Sequence, residues 1–356
     1  MANAEADGAR PLDGQVAVVA GATRGAGRGI ARMLGAAGAT VYCTGRSARG
    51  AAGGMEGRPE TIDETAEQIV AAGGRAHAVR VDHTQEDEVA ALATRVRDEA
   101  GRLDILVNDI WGGDPLIEWE QRFWEVDLTN MRRLMDQAVF THIVTSRHLA
   151  PLMVEADQGL IVEVLDGRHE GYRGQLFYDL TKASVARIAY AMAMELTEAG
   201  VTALSITPGF LRSEAVLEHF GVTEDTWQEA VAKDEYFAES ESPCFLGRAI
   251  AALAADPQVR AKAGLTLYAG DLAEEYGFTD IDGRTPHFHR LFQRRVGELA
   301  ASSEPLDEMG RFFVWSRYCQ IHREPANREE ARQLAERLGL GDAGPGVGPA
   351  PELPRG

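Results

Sequence analysis

Tyr178 and Lys182 are two residues with acid–base chemistry, and they lie four positions apart in a segment, 177–200, whose apolar spacing predicts one long helix. Residues four apart share one face of a helix, so both side chains can act on one bound ligand. A free phenol loses its proton near pH ~10, too high for an efficient base at neutral pH. A nearby ammonium favours the phenolate and lowers that pKa. The pair predicts proton transfer to or from a bound molecule; a core aromatic is the alternative for Tyr178.

A glycine-rich turn near the start of the chain joins a predicted strand to a predicted helix. The run 16–20 is short, apolar and rich in valine, as in buried strands, and Gly21, Gly25 and Gly27 follow it. A helix N-terminus reached through glycines presents unpaired N–H groups to a phosphate. The G-x-x-x-G-x-G spacing opens the first βα unit and so predicts a dinucleotide site. A tight turn that needs glycine for steric reasons alone is the alternative.

The second predicted strand, 39–44, leads into Gly45, Arg46 and Ser47. An acidic residue at this point would bind the ribose 2′-hydroxyl of NAD and repel a 2′-phosphate. The chain has Arg46 there instead, with Arg24 in the glycine turn, and two guanidinium groups suit a phosphate. This predicts a preference for NADP(H), the alternative being that Arg46 is a solvated loop charge.

The remaining chain alternates between strand and helix patterns. Asp82 and His83 follow the third predicted strand, and Asn108 ends the fourth, at positions where open α/β sheets bind ligands. The pattern predicts a Rossmann-type doubly wound parallel sheet of about seven strands flanked by helices. The predicted later strands are 76–81, 103–108, 159–166, 202–207 and 265–269, and the predicted helices include 61–72, with a Thr61–Glu64 capping box.

Composition changes along the chain predict four parts. A flexible N-terminus, 1–11, precedes a nucleotide-binding domain, 12–285. A charged helical extension, 286–339, follows, and the Gly/Pro-rich tail 340–356 is predicted to be disordered. The extension can dock on its own subunit or reach a neighbour.

Bulk properties exclude several classes of partner. The formal charge of -19 disfavours nucleic acid and anionic membranes, which are polyanions. The sequence has no apolar run long enough to cross a bilayer and no secretory signal at its start. Three widely spaced cysteines fit a reducing cytoplasm rather than a disulfide framework. No metal site is expected, because His287 and His289 lack further ligands around them.

Together these motifs resemble the short-chain dehydrogenase/reductase family over roughly residues 12–285. The turn GATRGAGRG, the Y-x-x-x-K of Tyr178 and Lys182, and Pro208-Gly209 after the sixth strand carry the resemblance, and three segments resemble one branch of the family most (GQVAVVAGATRGAGRGIA, ATVYCTGRS and DLAEEYGFTDIDGR). It implies that the lysine also binds the nicotinamide ribose, while the tyrosine exchanges a proton with the oxygen of a small-molecule carbonyl or alcohol. It implies a homodimer or homotetramer built on the tyrosine helix and the helix before it. The implied cofactor contacts are Gly21, Thr23, Arg24, Gly25, Ala26, Gly27, Arg46, Ser47, Asp82, His83, Asn108, Tyr178, Lys182, Pro208, Gly209 and Leu211.

The chain departs from the family where a serine normally orients the substrate oxygen. Strand alignment places Asp166 at that serine, whereas the usual spacing of thirteen residues before Tyr178 lands on Leu165; the alignment favours Asp166 as the third catalytic residue. The segment MDQAVFTHIV lacks the helical asparagine of the family's proton relay. The usual N-N-A-G after the fourth strand reads N-D-I-W at 108–111.

An aspartate at this position allows two kinds of chemistry. Burial could raise its pKa so that it acts as a neutral donor, or it could stay charged and hold a cationic group such as an iminium. Carbonyl/alcohol redox is therefore the first hypothesis. Reduction of a C=N or other activated double bond and a non-catalytic NADP-binding role are the alternatives. Glu163, inside a predicted strand, needs a partner if buried, and loop tryptophans at 111, 119 and 124 predict a packed lid.

Overall fold

The computed structural model describes residues 10–51, 58–167, 172–321 and 327–339. The predicted flexible N-terminus lies outside these ranges except for residues 10 and 11, and the predicted disordered tail, 340–356, lies wholly outside them.

The strands follow the predicted order along the chain, with boundaries that shift by one or two residues at most ends. They are β1 (Val16–Ala20), β2 (Thr40–Gly45), β3 (Arg75–Arg80), β4 (Ile105–Asn108), β5 (Gly159–Val164), β6 (Val201–Thr207), β7 (Phe210–Leu211), β8 (Ser240–Glu241) and β9 (Thr266–Tyr268).

Seven of these strands form one parallel sheet in the order β3-β2-β1-β4-β5-β6-β9, which confirms the predicted Rossmann-type fold. The chain reverses direction across the sheet between β1 and β4. In open α/β sheets ligands bind beyond the carboxyl ends of the strands at such a point. The short strands β7 and β8 pair separately, in the segment after β6.

Every residue of β1 is apolar and buried. Both faces of the sheet therefore require cover, and helices provide it on each face. The helices are α1 (Gly25–Ala36), α2 (Ile62–Ala71), α3 (Glu86–Ala100), α4 (Leu128–Met135), α5 (Thr141–Glu155), α6 (Leu176–Glu195), α7 (Glu214–Phe220), α8 (Pro243–Ala255) and α9 (Ala269–Tyr276). Val16 and Val18 pack towards α3, α5 and α6, whereas Ala17 and Val19 pack towards α1, α2, α8 and α9.

Local signals explain two helix boundaries. The predicted capping box is present at the start of α2, where Thr61 Oγ1 accepts a hydrogen bond from the backbone N–H of Glu64 (3.2 Å). A turn of π-helix, 136–140, separates α4 from α5. Such turns insert a residue into the hydrogen-bond ladder and rotate the following helix.

Three further helices occupy the predicted helical extension: α10 (Phe288–Ala301), α11 (Glu308–Ile321) and α12 (Arg328–Leu338). They share an apolar cluster centred on Phe313, which also contacts Tyr236 from the segment before β8 (4.8 Å between ring centroids). The extension therefore docks on its own subunit. Cys43, Cys244 and Cys319 are all free thiols. In the described ranges, no helix is long and apolar enough to span a membrane.

Candidate active site

The glycine turn joins β1 to α1 at the carboxyl edge of the sheet. Gly21 has φ +94°, and a Cβ there would lie 2.1 Å from the carbonyl oxygen of Asp109; a Cβ on Gly27 would lie 2.3 Å from the carbonyl oxygen of Gly21. These close approaches require glycine. Helix α1 begins at Gly25, and its N-cap residue, Arg24, forms no side-chain cap hydrogen bond. The N-terminus of α1 is the part of the turn suited to an anion.

A carboxylate that the sequence analysis missed contacts this helix terminus. Glu214, the first residue of α7, accepts a hydrogen bond from the backbone N–H of Gly25 (2.8 Å), and its other oxygen lies 3.9 Å from Arg28. The favourable interaction between an anion and a helix N-terminus explains the contact. The segment after β6 is thereby attached to the glycine turn.

The two arginines predicted to bind a phosphate lie at the ends of neighbouring elements. Arg46 extends across the sheet edge, and a Cβ built on Gly112 would lie 3.0 Å from its guanidinium. Arg24 lies close enough to Glu60 for its charge to help lower the pKa of that buried carboxyl. Burial opposes that effect, and the hydrogen bond from Arg58 is the main cause of the lower pKa. Glu60 is therefore a second carboxylate near the site that no motif of the sequence indicates, and Arg58 and Arg24 balance its charge.

The polar residues after β3 and β4 are held by the protein itself. Asp82 accepts hydrogen bonds from the backbone and hydroxyl of Thr84 (3.0 and 2.7 Å). The His83 ring is buried between the hydroxyls of Thr44 and Thr145 (2.9 and 2.8 Å), and burial lowers its pKa to about 3, so it is neutral. The His83 side chain thus links Thr44 of β2 to Thr145 of α5 and has a structural role at the site.

Asn108 is fully buried and links β4 to β5 and α5. Its amide nitrogen donates to Glu163 Oε1 (2.7 Å) and Ser146 (2.9 Å). Glu163 Oε2 accepts from His142 Nδ1 (2.5 Å), and His142 Nε2 lies 3.0 Å from the carbonyl oxygen of Ile110. Burial alone would lower the pKa of His142, but the Glu163 carboxylate raises it above its ordinary value. The buried carboxylate in β5 therefore has the partners it requires.

The catalytic candidates meet beyond the carboxyl ends of β5 and β6. Tyr178 Oη donates a hydrogen bond to Asp166 Oδ2 (2.5 Å), while Leu165 is buried in the core at 3% exposure. Asp166, not Leu165, is thus the residue beside the phenol. Gly167 follows, and its N–H donates to the hydroxyl of Thr207 (2.7 Å), which ties this loop to the end of β6.

Arg173 is a further charged group at the phenol that no motif of the sequence indicates. Its guanidinium donates to Asp166 Oδ2 and also lies beside the Tyr178 oxygen. Its backbone N–H donates to Asp179 Oδ1 (2.8 Å) in the first turn of α6. The sequence offered no spacing signal for it, because it lies in an irregular loop.

The charges determine the protonation of the pair. Burial would raise the pKa of Asp166, but Arg173, Lys182 and the hydrogen bonds outweigh it and lower that pKa to about 2. Of the two possibilities for Asp166, the charges around it favour the ionised form, because two cations stabilise the carboxylate. Burial, followed by the charge of Asp166, raises the pKa of Tyr178 well above its ordinary value. Asp166 is charged and Tyr178 carries its proton at neutral pH.

Lys182 lies one turn further along α6, as its spacing predicts. Its Nζ is 3.7 Å from the centre of the Trp111 ring and 5.5 Å from that of Tyr178. Burial lowers the pKa of Lys182, and the carboxylates of Asp166 and Asp109 oppose that effect. Burial raises the pKa of Asp109 to about 7, against the pull of Lys182. The lysine thus connects the glycine turn with the tyrosine.

Two of the three loop tryptophans pack against the site. The Trp111 and Trp119 rings lie 5.8 and 4.9 Å from the Tyr178 ring, and the Trp111 indole donates to Asp114 (2.7 Å). Trp124 is 68% exposed and packs edge-on against Phe123. The predicted lid therefore involves Trp111 and Trp119 only.

The π-turn lies at the segment that lacks the relay asparagine. Gln137, within it, has a buried amide oxygen that finds no hydrogen-bond partner in the described part of the chain. A Cβ on Gly112 would lie 3.6 Å from that oxygen. A buried polar atom without a partner at a site indicates a group that the protein alone does not supply.

The remaining predicted residues surround these groups. Gly209 donates its N–H to the buried carboxylate of Glu241 (2.9 Å), behind the Pro208-Gly209 turn. Leu211 pairs with Glu241 in the two-stranded β7–β8 sheet. Thr23, Ala26 and Ser47 are half-buried at the glycine turn and after β2.

His287 pairs with Asp271 (2.9 Å), and His289 stacks on Tyr268.

The residues present fit a bound dinucleotide. The N-terminus of α1 and the arginines at 24 and 46 lie on one side of the sheet edge, whereas Lys182 and Tyr178 lie on the other. A Cβ built on Gly112 would lie 3.0 Å from the Arg46 guanidinium and 3.6 Å from the Gln137 amide oxygen, which lacks a partner among the described residues. A molecule with phosphates at one end and a polar sugar towards the other matches this order of donors.

Comparisons with known proteins identify the family of the chain. Residues 15–220 match the family model for short chain dehydrogenases. The mouse protein "Dehydrogenase/reductase SDR family member 1" is 39% identical over 279 residues, which are 77% of this chain and 85% of the mouse protein.

Two solved structures are similar in fold. A metagenomic short-chain oxidoreductase in complex with NADP matches with TM-score 0.56 and 25% identity, over 72% of this chain and 97% of that one. A 7α-hydroxysteroid dehydrogenase complexed with NADH and 7-oxo-glycochenodeoxycholic acid matches with TM-score 0.60 and 26% identity, over 75% and 96% of the two chains.

Sheet order and edge chemistry thus define a Rossmann-type α/β protein with a tyrosine–lysine site. The chain belongs to the short-chain dehydrogenase/reductase family, and it is an oxidoreductase of that family. The branch that its three characteristic segments resemble is the member 1 type, and the mouse and human relatives, at 39% and 36% identity, confirm that resemblance.

Proposed function

We propose that this chain is an NADP(H)-dependent oxidoreductase that reduces a small-molecule carbonyl, with Tyr178 as the proton donor, and oxidises the alcohol in reverse. The contact between the Tyr178 oxygen and Asp166, on the helix face that also carries Lys182, is the observation that carries the proposal. Tyr178 is the acid–base candidate of this proposal, beyond the carboxyl ends of β5 and β6.

Different residues of the site would hold different parts of the cofactor. The turn from Gly21 to Gly27 would hold the diphosphate through backbone N–H groups at the N-terminus of α1, where the diphosphate would take the place of Glu214 on the Gly25 N–H. Arg24 and Arg46 would bind the 2′-phosphate, and Lys182 would bind the nicotinamide ribose. When bound, the nicotinamide supplies or accepts the hydride. The relatives leave the choice of cofactor open, since one solved neighbour holds NADP and another NADH.

The protonation state of Tyr178 suits it to act as the proton donor of the reductive direction near neutral pH. The pKa of Tyr178 is raised by burial and by Asp166, so the phenol carries a proton to donate. Arg173 lies beside the same oxygen and favours the phenolate that proton donation leaves. Oxidation of an alcohol needs the phenolate and is expected to accelerate as the pH rises.

A second candidate reaction is reduction of a C=N bond. Asp166 is a carboxylate, since its pKa is lowered to about 2, and an ionised carboxylate cannot donate to a carbonyl oxygen as a serine does. It can instead hold a cationic iminium substrate. Arg173 already occupies this carboxylate, which is why carbonyl reduction remains the first proposal.

We also propose a cytoplasmic homodimer or homotetramer that acts on a small molecule and binds neither nucleic acid nor membrane. The isolated free cysteines and the acidic charge of -19 support the location and the absent partners. Exposed apolar residues on α5 and α6 support the assembly.

The test is NADPH oxidation with a panel of ketones, aldehydes and imines. Tyr178→Phe should lower kcat by about 10²- to 10⁴-fold, the usual contribution of general acid catalysis. Tyr190→Phe, an exposed tyrosine on the same helix, is the matched control and should keep wild-type rates. NADPH binding without any turnover that depends on Tyr178 would instead identify a non-catalytic binding protein.

A further inference from the structure

The C-terminal extension reaches the active-site loop through one face of α11. Trp315 and Cys319 lie four residues apart and so share that face. The Trp315 ring packs edge-on against the Tyr172 ring (5.9 Å between centroids), and Cys319 contacts the Tyr172 backbone. Trp315 is only 4% exposed. Tyr172 is thus held at both its ring and its backbone by a helix from the far end of the chain.

The next residue along the chain, Arg173, belongs to the catalytic group. Its guanidinium donates to Asp166, and its backbone N–H donates to Asp179 (2.8 Å). Consecutive residues share a planar peptide unit, so fixing the backbone of Tyr172 restricts where Arg173 can lie. The contact with α11 and the contact with Asp166 therefore act on adjacent residues of one loop.

The position of Arg173 has an electrostatic consequence at the phenol. Asp166 raises the pKa of Tyr178, whereas the guanidinium of Arg173 lowers it. If Arg173 moved away, Tyr178 would face the Asp166 charge with less compensation. Lys182 would remain as the other cation near the pair, because it is attached to α6 rather than to the loop.

We propose that Trp315 is a positioning residue of the active site: with Cys319 it clamps Tyr172, and the clamp holds Arg173 against Asp166 beside Tyr178. The catalytic consequence rests on the proposed function of Tyr178, whereas the clamp itself does not. The extension is accordingly the part of the chain against which the active-site loop packs.

The first test measures the clamp without activity. Trypsin cleaves after arginine, so the rate of cleavage between Arg173 and Gly174, followed by mass spectrometry, reports how often this loop opens. Trp315→Ala in the full chain should accelerate this cleavage about 3- to 10-fold, because an aromatic edge-on contact is lost. Trp315→Phe should restore near wild-type protection.

Two more variants separate the clamp from general loosening of the extension. Phe312→Ala removes another aromatic side chain from α11, one that packs against Phe313, and should leave cleavage after Arg173 unchanged. Tyr172→Ala breaks the same clamp from the loop side without altering α11, and it should accelerate cleavage as Trp315→Ala does. It keeps the test informative if Trp315→Ala fails to fold.

The second test is the pH dependence of alcohol oxidation. In Trp315→Ala and Tyr172→Ala the pH at half-maximal kcat should rise relative to wild type and Phe312→Ala, whereas a smaller folded fraction would lower kcat equally at every pH. Wild-type cleavage rates in both clamp variants would overturn the proposal, as would faster cleavage with an unchanged pH profile. Faster cleavage in both clamp variants, together with no oxidoreductase activity in the wild-type chain, would support the clamp and overturn the proposed function.

Discussion

At the scale of single residues, three charged side chains set the proton affinity of Tyr178. Asp166 accepts its hydrogen bond and disfavours the phenolate, while Arg173 favours it. Lys182 adds a second positive charge 5.5 Å from the centre of the ring. Burial adds to the effect of Asp166, so the phenol holds its proton. A neutral serine in place of Asp166 would leave the two cations without this opposing charge.

Replacing Asp166 by asparagine should therefore make Tyr178 a stronger acid. In Asp166→Asn the pH at half-maximal alcohol oxidation should fall by about one unit or more, because an adjacent anion is removed. Steady-state kcat measured across pH checks this. Glu195→Gln, an exposed carboxylate at the end of the same helix, should not move the midpoint. An unchanged midpoint in Asp166→Asn would contradict the electrostatic account.

Arg46 is the residue on which the proposed NADP(H) preference depends most. Arg46→Asp should shift the ratio of the Kd for NADH to the Kd for NADPH by about 10- to 100-fold in favour of NADH. A charge-assisted contact with the 2′-phosphate is lost and a repulsion is added. The ratio of the two Kd values, from cofactor fluorescence, measures it. Arg49→Asp is a control in the same loop, since Arg49 pairs with Glu67 instead. Tighter binding of NADH by the wild-type chain would sink the assignment.

At the scale of elements, Glu163 connects β5 with β4 and α5. Both ring nitrogens of His142 face acceptors, the Glu163 carboxylate and the carbonyl oxygen of Ile110, so both hydrogen bonds require the protonated ring. This agrees with the raised pKa of His142. The stability that it contributes is present in full below its unfolded pKa of about 6.5 and is lost as the pH rises past its folded value.

Removing the carboxylate should destabilise the fold. Glu163→Ala leaves a buried imidazolium and the Asn108 amide without their partner, and it should lower the free energy of unfolding by about 3–5 kcal/mol. Glu163→Gln keeps one acceptor oxygen and should cost less. Urea denaturation gives both values. Glu155, on α5, is an exposed ion-pair partner of Arg97 on α3. Glu155→Ala should change the free energy of unfolding by less than about 1 kcal/mol.

At the scale of the whole molecule, two helices present apolar side chains to solvent on the side of the tyrosine helix. Val185 and Ala189 of α6 are buried, so their apolar character reflects core packing. Other large apolar residues of α6 and of the π-turn and α5 before it are exposed, and large exposed apolar surfaces mark interfaces. These residues are Phe140, Ile143, Leu176, Leu180, Tyr190 and Met194.

A second copy of the chain is the expected partner of this surface. Sedimentation velocity at micromolar concentration should show a dimer or tetramer, and Ile143→Glu combined with Met194→Glu should reduce the mass towards that of one chain. Val70→Glu places the same charge on an exposed apolar residue of α2 and should leave the assembly intact. A wild-type monomer would contradict the proposal.

The features that the sequence determined by itself are local ones. The glycine spacing predicts the turn after β1, the four-residue spacing places Tyr178 and Lys182 on one helix face, and the apolar runs predict a seven-stranded sheet. Each depends on the period of a helix or strand, or on the steric needs of one turn, and these are properties of neighbouring residues.

The tertiary structure alone decided which residues surround the phenol. A spacing rule pointed to Leu165 and a strand alignment to Asp166, and only the path of the loop after β5 brought Asp166 to Tyr178. The same loop placed Arg173 there, and α11 packed against Tyr172 from the other end of the chain. Irregular loops have no period, and contacts between distant segments depend on how the whole chain packs, so no local pattern could have predicted them.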